Sequence, residues 1–276
     1  MRHQVALAFV LLLVFGACGG GATAPKDTAA PEVDAPSSDY QPADPVDDPK
    51  GARIAPGAET IELVTDDGVV IQATAWSGTG DDAGKQAIVL VHQLASDRYE
   101  WAPFLEQLAG DYALVAIDLR GHGGSTRTTD GRVLQWRSFA DKDWARIPLD
   151  VKAAVAYARG RGATSVGLVG ASIGSSAVML YAATDPQINA VALLSPGLAY
   201  RGLDTKGPVQ AYGERPLLLL TSKGDTRSEE TVRELGALAP EAERHVYDGE
   251  RHGVSIRRDA PDLIEDVVGF FDAALD

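Results

Sequence analysis

The sequence predicts an α/β domain over residues 58–276, with about eight strands in a mostly parallel sheet and helices on both faces. Three observations point there. Runs of Val, Ile, Leu and Ala recur through this region and are near-continuous rather than alternating. Helix-compatible stretches separate them, and Gly, Asp, Pro and Ser collect at the junctions. A strand that is apolar at every position is buried on both faces, which is the signature of a parallel sheet covered by helices.

Taken in order, Thr60–Val64 and Val69–Ala75 read as paired strands around an Asp66-Asp67-Gly68 turn, an antiparallel addition at one edge. Gly78-Thr79-Gly80 leads into an acidic turn and reads as a loop. The remaining strands are Ala87–Val91, Ala113–Ile117, Ser165–Val169, Ala190–Leu194, Pro216–Leu220 and His245–Tyr247. Helices fill the intervals at Tyr99–Ala109, Pro148–Arg159, Ile173–Ala183, Ser228–Leu238 and Ala260–Leu275.

Residues 1–57 stand outside this domain. Met1-Arg2-His3-Gln4 is a short basic segment, Val5 to Phe15 is apolar, and Gly16-Ala17 supplies small residues before Cys18. The apolar run falls short of the roughly 20 residues that span a bilayer. Cys18 is the single cysteine, so no intramolecular disulfide can form. Phe15-Gly16-Ala17-Cys18 resembles a bacterial lipobox, with Phe where leucine is usual. That resemblance implies a signal peptide over 1–17, a lipid on Cys18 and export to the cell envelope; Gly19 is no evident inner-membrane retention signal and suggests the outer membrane. The alternative is an ordinary secretory peptide cut nearby, leaving a free thiol. Residues 18–57 are rich in Gly, Ala, Pro and Asp, too poor in apolar surface to offset ordering, and read as a disordered tether.

Composition narrows the function. The formal net charge of −14 lacks the basic footprint that nucleic acid requires and disfavours docking on anionic lipid. One cysteine and scattered histidines cannot assemble a tetrahedral metal site, and no G-x-x-x-x-G-K-[ST] phosphate loop is present. No metal and no cofactor is expected.

The chemistry concentrates at the carboxyl ends of the strands, where open α/β sheets bind their ligands. Gly170-Ala171-Ser172-Ile173-Gly174 joins an apolar strand to an Ala-rich helix, a G-x-S-x-G turn that presents Ser172 as a nucleophile. Asp225 follows Leu217-Leu218-Leu219-Leu220-Thr221 in a tight turn, and His252 lies in the loop after the last strand. A serine hydroxyl needs a base to take its proton, imidazole titrates near the working pH, and a carboxylate behind the ring fixes its tautomer. Asp248 and Glu250 are rival acids, but they lie too near His252 in sequence to approach its ring from behind. Leu194-Ser195-Pro196-Gly197, after an earlier strand, carries no carboxylate.

The order serine, acid, histidine, with Asp118-Leu119-Arg120-Gly121-His122-Gly123-Gly124-Ser125 at a strand end, resembles a serine α/β-hydrolase, closest to small dienelactone-hydrolase-like or carboxylesterase members. The likeness covers 58–276. It implies an α/β-hydrolase fold, an acyl-enzyme on Ser172, and structural roles for Asp118 and His122. It also implies an oxyanion hole from the N–H groups of Ile173 and Leu94, with Gln93 as the alternative because glutamine replaces the usual glycine of His-Gly-X. Only 19 residues separate Pro196 from Pro216, so Gly197–Leu203 should form a loop or short helix, leaving minimal or no cap and an open site. The aromatics of Gln135–Trp144 either wall an acyl pocket or pack on the next helix. The partner implied is a small ester; a peptidase, thioesterase or lactonase would use the same residues, and a non-catalytic surface-binding lipoprotein is the reading from another class. Oligomeric state is not legible.

Overall fold

A computed structural model describes residues 57–79, 84–110 and 112–275. The signal segment, Cys18 and all of the tether except Gly57 lie outside the described residues.

The chain opens with the expected hairpin, β1 (Glu59–Val64) and β2 (Val69–Trp76). It continues through β3 (Gln86–Val91), α1 (Ala102–Leu108), β4 (Ala113–Ile117), β5 (Arg127–Thr128), α2 (Asp141–Trp144) and α3 (Pro148–Gly160). The second half runs β6 (Ser165–Ala171), α4 (Ile173–Ala182), β7 (Ala190–Leu194), β8 (Ala199–Tyr200), β9 (Leu203–Asp204), α5 (Lys206–Tyr212), β10 (Leu217–Ser222), α6 (Thr226–Leu238), β11 (Glu243–Tyr247) and α7 (Leu263–Leu275). The main sheet is ordered β1-β2-β4-β3-β6-β7-β10-β11. Within it β2 is antiparallel to each of its partners, β1, β4 and the short β5; every other pairing is parallel.

The near-continuous apolar strands explain the layering. Val89 and Val91 of β3 belong to the core that α3, α4, α5 and α6 cover, whereas Ile88 and Leu90 belong to the core beneath α1 and α7. The same alternation divides Leu217 and Leu219 from Leu218 and Leu220. Side chains of one strand thus feed two cores, because successive Cβ atoms point to opposite faces. Each fully buried aliphatic side chain contributes on the order of 1.5–3 kcal/mol. Two of the three exposed positions on the β11 edge are charged, Glu243 and Arg244, which discourages pairing with another chain; the third is Val246.

The expected sheet of about eight strands is present with a short ninth, because Thr128 and Arg127 pair with Val69 and Val70 to form β5. Three expectations need correction. The expected helix Tyr99–Ala109 divides into a 3-10 turn over Arg98–Trp101 and then α1, since Pro103 has no N–H to donate back to Tyr99. The segment Gly197–Leu203 is neither loop nor helix: β8 and β9 pair as a ribbon across Arg201 and Gly202, both at positive φ as a tight hairpin turn requires. The helix assigned to Ala260–Leu275 begins at Leu263, beyond Pro261. Among the described residues no cap domain lies between β7 and β10; the ribbon and α5 fill the interval.

Asp118 is the polar anchor between β4 and the first crossover. It is fully buried and accepts from Arg98 N at 2.8 Å, from the Arg98 guanidinium, and from Gly124 N at 2.7 Å. Removing one partner of such a pair strands the other charge. We therefore expect Asp118→Ala to destabilise the domain by about 3–5 kcal/mol, lowering Tm by about 10 °C in a thermal melt; an unchanged Tm would show that Arg98 relaxes into solvent.

Candidate active site

The turn at Ser172 is built by backbone contact. β6 ends at Ala171 and α4 begins at Ile173, so the chain reverses at Ser172, which sits at φ +52° and ψ −116°. A non-glycine residue at positive φ is strained, by about 1–3 kcal/mol. Two hydrogen bonds hold it: Ser172 N–H donates to Leu194 O at 2.9 Å, and Ser175 Oγ donates to Gly170 O at 2.7 Å. Neither flanking glycine has positive φ, so conformational freedom is not their purpose. A Cβ on Gly170 would stand 2.4 Å from Gly174 O, and one on Gly174 would stand 2.2 Å from Val91 O. Both are glycine because backbones close on each other there. Ser172 itself is half-buried and caps the N-terminus of α4, beside the unpaired N–H groups of a helix's first turn.

His252 and Asp225 meet as the sequence predicts. His252 Nδ1 lies 2.7 Å from Asp225 Oδ2. A carboxylate only accepts, so Nδ1 carries the proton and Nε2 is left as a base. Burial pulls the Asp225 carboxyl upward. The hydrogen bond and charge of His252, with hydrogen bonds from Ser195 and Ser228, outweigh this and hold it below the ordinary carboxylate value. The aspartate is therefore ionised, and its side chain is 12% exposed against 38% for the histidine. The rival acids are elsewhere: Asp248 is exposed and pairs with Lys223, while the Glu250 stem packs over Gly224. The histidine loop lies against the serine's strand, since a Cβ on Gly253 would sit 3.5 Å from Ala171 Cβ.

The loop after β3 is pinned from below. Leu119 N–H donates to His92 Nε2 at 2.9 Å, so the His92 proton is on Nδ1, which donates to Gln93 O at 2.7 Å. Burial, with Arg98 nearby, lowers the His92 pKa to about 4 and keeps it neutral. In a trans peptide the carbonyl and the next N–H point apart, so fixing Gln93 O sets the direction of Leu94 N–H. The alternative donor, Gln93 N–H, is committed to Glu100 Oε1 at 2.8 Å. Glu100 is buried, and that burial pushes its carboxyl up to about 8 against hydrogen bonds from Ser96 and Gln93. Ile173 is buried immediately after Ser172.

The remaining candidates are structural. His122 is buried and stacks on Trp136, ring centroids 5.2 Å apart and 3° from parallel. Trp144 packs edge-on against Phe139 and joins the core with Ile147 and Val151, so the Gln135–Trp144 segment serves packing. Sequence reasoning overlooked Ser195, Gly253 and Glu100. Only the blank position after β7 hinted at Ser195.

Comparison with known proteins adds the following. A family model for the alpha/beta hydrolase fold matches residues 86–211. The dihydrolipoyllysine-residue acetyltransferase component of the acetoin cleaving system of Cupriavidus necator is 27% identical over 222 residues, 79% of this chain and 52% of that protein. The chain thus spans about half the length of this relative. Among solved structures, an esterase of Pyrococcus furiosus superposes with a TM-score of 0.60 at 17% identity, covering 79% of this chain and 91% of that one. An esterase of a Rhodococcus species gives 0.58 at 19% identity, covering 78% and 99%. At such identities the likeness is one of fold.

Two measurements check this geometry. Gly174→Ala, whose Cβ meets the backbone oxygen of Val91, should leave little folded protein in the soluble fraction, whereas a serine turn without this close approach would tolerate it. Glu100 ionises near 4.5 in the unfolded chain but only near 8 when folded. The native chain thus binds more protons across that window, and Glu100 destabilises it increasingly as pH rises from 4.5 to 8. Glu100→Gln should raise Tm by at least about 3 °C at pH 8 and leave it unchanged at pH 4; a pH-independent difference would contradict a buried neutral acid.

Proposed function

From the α/β-hydrolase fold of this chain we propose a serine hydrolase that cleaves carboxylic esters through an acyl-enzyme on Ser172. The observation that carries it is the His252–Asp225 pair at 2.7 Å, at the same end of the sheet as the strained Ser172 turn. The esterases of similar fold support the choice of ester over other acyl substrates.

In this reading Ser172 Oγ attacks the acyl carbon while His252 Nε2 takes its proton. Asp225 stabilises the imidazolium through Nδ1. Negative charge gathers on the former carbonyl oxygen, where the N–H groups of Ile173 and Leu94 receive it; one such donor is worth about 3–4 kcal/mol in the transition state. The imidazolium proton leaves with the alcohol. Water then repeats the sequence, with His252 as base, and returns free Ser172 and a carboxylic acid. No metal or cofactor takes part in this scheme. The ribbon β8–β9 and short α5, in place of a cap domain, leave room for a small-molecule ester to approach. We further propose that residues 1–17 direct export, that Cys18 carries a lipid, and that the following tether holds the enzyme off the bacterial cell envelope.

Wild type should hydrolyse p-nitrophenyl acetate and take up a fluorophosphonate. Ser172→Ala should lose both, with a drop in kcat on the order of 10⁴-fold or more. Equal labelling of Ser172→Ala would sink the assignment. Turnover of a thioester or lactone panel in preference to esters would move the substrate class while keeping the residues, and tight binding of a surface ligand without any labelling would favour the non-catalytic alternative.

A further inference from the structure

The end of β7 holds a side chain that the triad alone does not explain. Ser195 is 1% exposed and, though not glycine, sits at φ +47°. Its N–H is spent on Leu220 O at 2.7 Å, tying it to the strand that leads to Asp225. Its hydroxyl faces two ways. It accepts Gly253 N–H at 2.9 Å, and it is among the hydroxyls whose hydrogen-bonding favours the ionised Asp225 carboxylate. One proton and spare lone pairs allow both bonds at once. Gly253 follows His252 directly and is itself confined, since a Cβ there would meet Gln93 Oε1 at 2.1 Å. One hydroxyl therefore joins the segment carrying the acid to the segment carrying the base.

We propose that Ser195 is a positioning residue for the reaction assigned to Ser172, Asp225 and His252: its hydroxyl orients the Asp225 carboxylate toward His252 Nδ1 and fixes the His252-Gly253 backbone at the distance that pairing needs. The proposal rests on the hydrolase reading. The strain at Ser195 fits it, because residues held at unfavoured φ persist where the surroundings over-determine them. Deleting the hydroxyl leaves Gly253 N–H without its acceptor in a buried place and leaves the Asp225 carboxylate with one fewer donor. The imidazole would then sample orientations that do not serve Ser172. Ser195 touches no reacting atom in this arrangement, so its removal should act on turnover and spare binding.

The test is a double-mutant cycle on p-nitrophenyl acetate hydrolysis with the full chain. Ser195→Ala should lower kcat on the order of 10–100-fold, with KM within about twofold, and should slow fluorophosphonate labelling in parallel. In an Asp225→Ala background the same change should have little further effect on kcat, because both substitutions act through one carboxylate. Ser195→Cys, which keeps a weaker donor, should fall between wild type and Ser195→Ala; it also supplies the measurement if the alanine variant does not fold. Full additivity in the cycle, a KM rise without loss of kcat, or wild-type turnover in both variants would overturn the positioning role while leaving the hydrolase reading intact. A wild type that neither turns over esters nor takes the probe would overturn that reading and this proposal together.

Discussion

The register of the parallel strands at their carboxyl ends is the constraint from which the site follows. Ala171 lies opposite Leu194, Leu194 opposite Leu220, and Ser222 opposite Tyr247. Beyond these pairs the backbone goes on bonding sideways: Ser172 N–H to Leu194 O, Ser195 N–H to Leu220 O, Lys223 N–H to Tyr247 O and Gly224 N–H to Gly249 O. Each loop is thereby moored to its neighbour before any side chain is placed. Both faces of these strands are buried, so a one-residue slip would exchange their two apolar sets rather than expose one, and it is close packing against two different helix layers that fixes the register. The sheet aligns the loops as a consequence of packing two cores.

Electrostatic selection works on top of that frame. Three of the ionisable groups at the Ser172 end of the sheet take different states although burial acts on each. His92 is kept neutral with its pKa near 4, and Glu100 is kept neutral with its pKa near 8, in each case chiefly by burial. Asp225 is buried too, yet stays ionised because His252, Ser195 and Ser228 all face its carboxylate. The neutral pair holds the loop after β3 without adding charge. The one anion of the three faces the His252 ring. Desolvation alone would have neutralised all three; hydrogen bonding to the charged form makes the difference.

Much of this was legible in the sequence for identifiable reasons. Strands and helices declared themselves through near-continuous apolar runs such as Ile88-Val89-Leu90-Val91, whose burial on both faces needs no tertiary detail. The Ser172 turn and the Asp225–His252 contact were legible because strand-end position and residue type restrict the choices. What failed was short or context-dependent. The two-residue β5 and the ribbon β8–β9 carry no periodic signal, and their pairing is decided by partners distant in the chain, Val69 and Val70 in the first case. Pro103 was visible, but its effect on the start of α1 depended on the Asp97 side chain bonding Tyr99 N–H.

Local chemistry thus determined the fold class, the serine turn and the choice of Asp225 and His252 as the residues that meet. A short-range rule such as the need for glycine where backbones collide, or for an apolar residue at each position of a buried strand, operates through residue type alone. Tertiary structure decided which donors surround Asp225, why Gln93 N–H is taken by Glu100, and that Ser195 links two loops 58 residues apart in sequence. Those outcomes depend on distances between chain segments that no local rule relates, and a hydroxyl becomes a bridge only once packing has set both of its partners within reach.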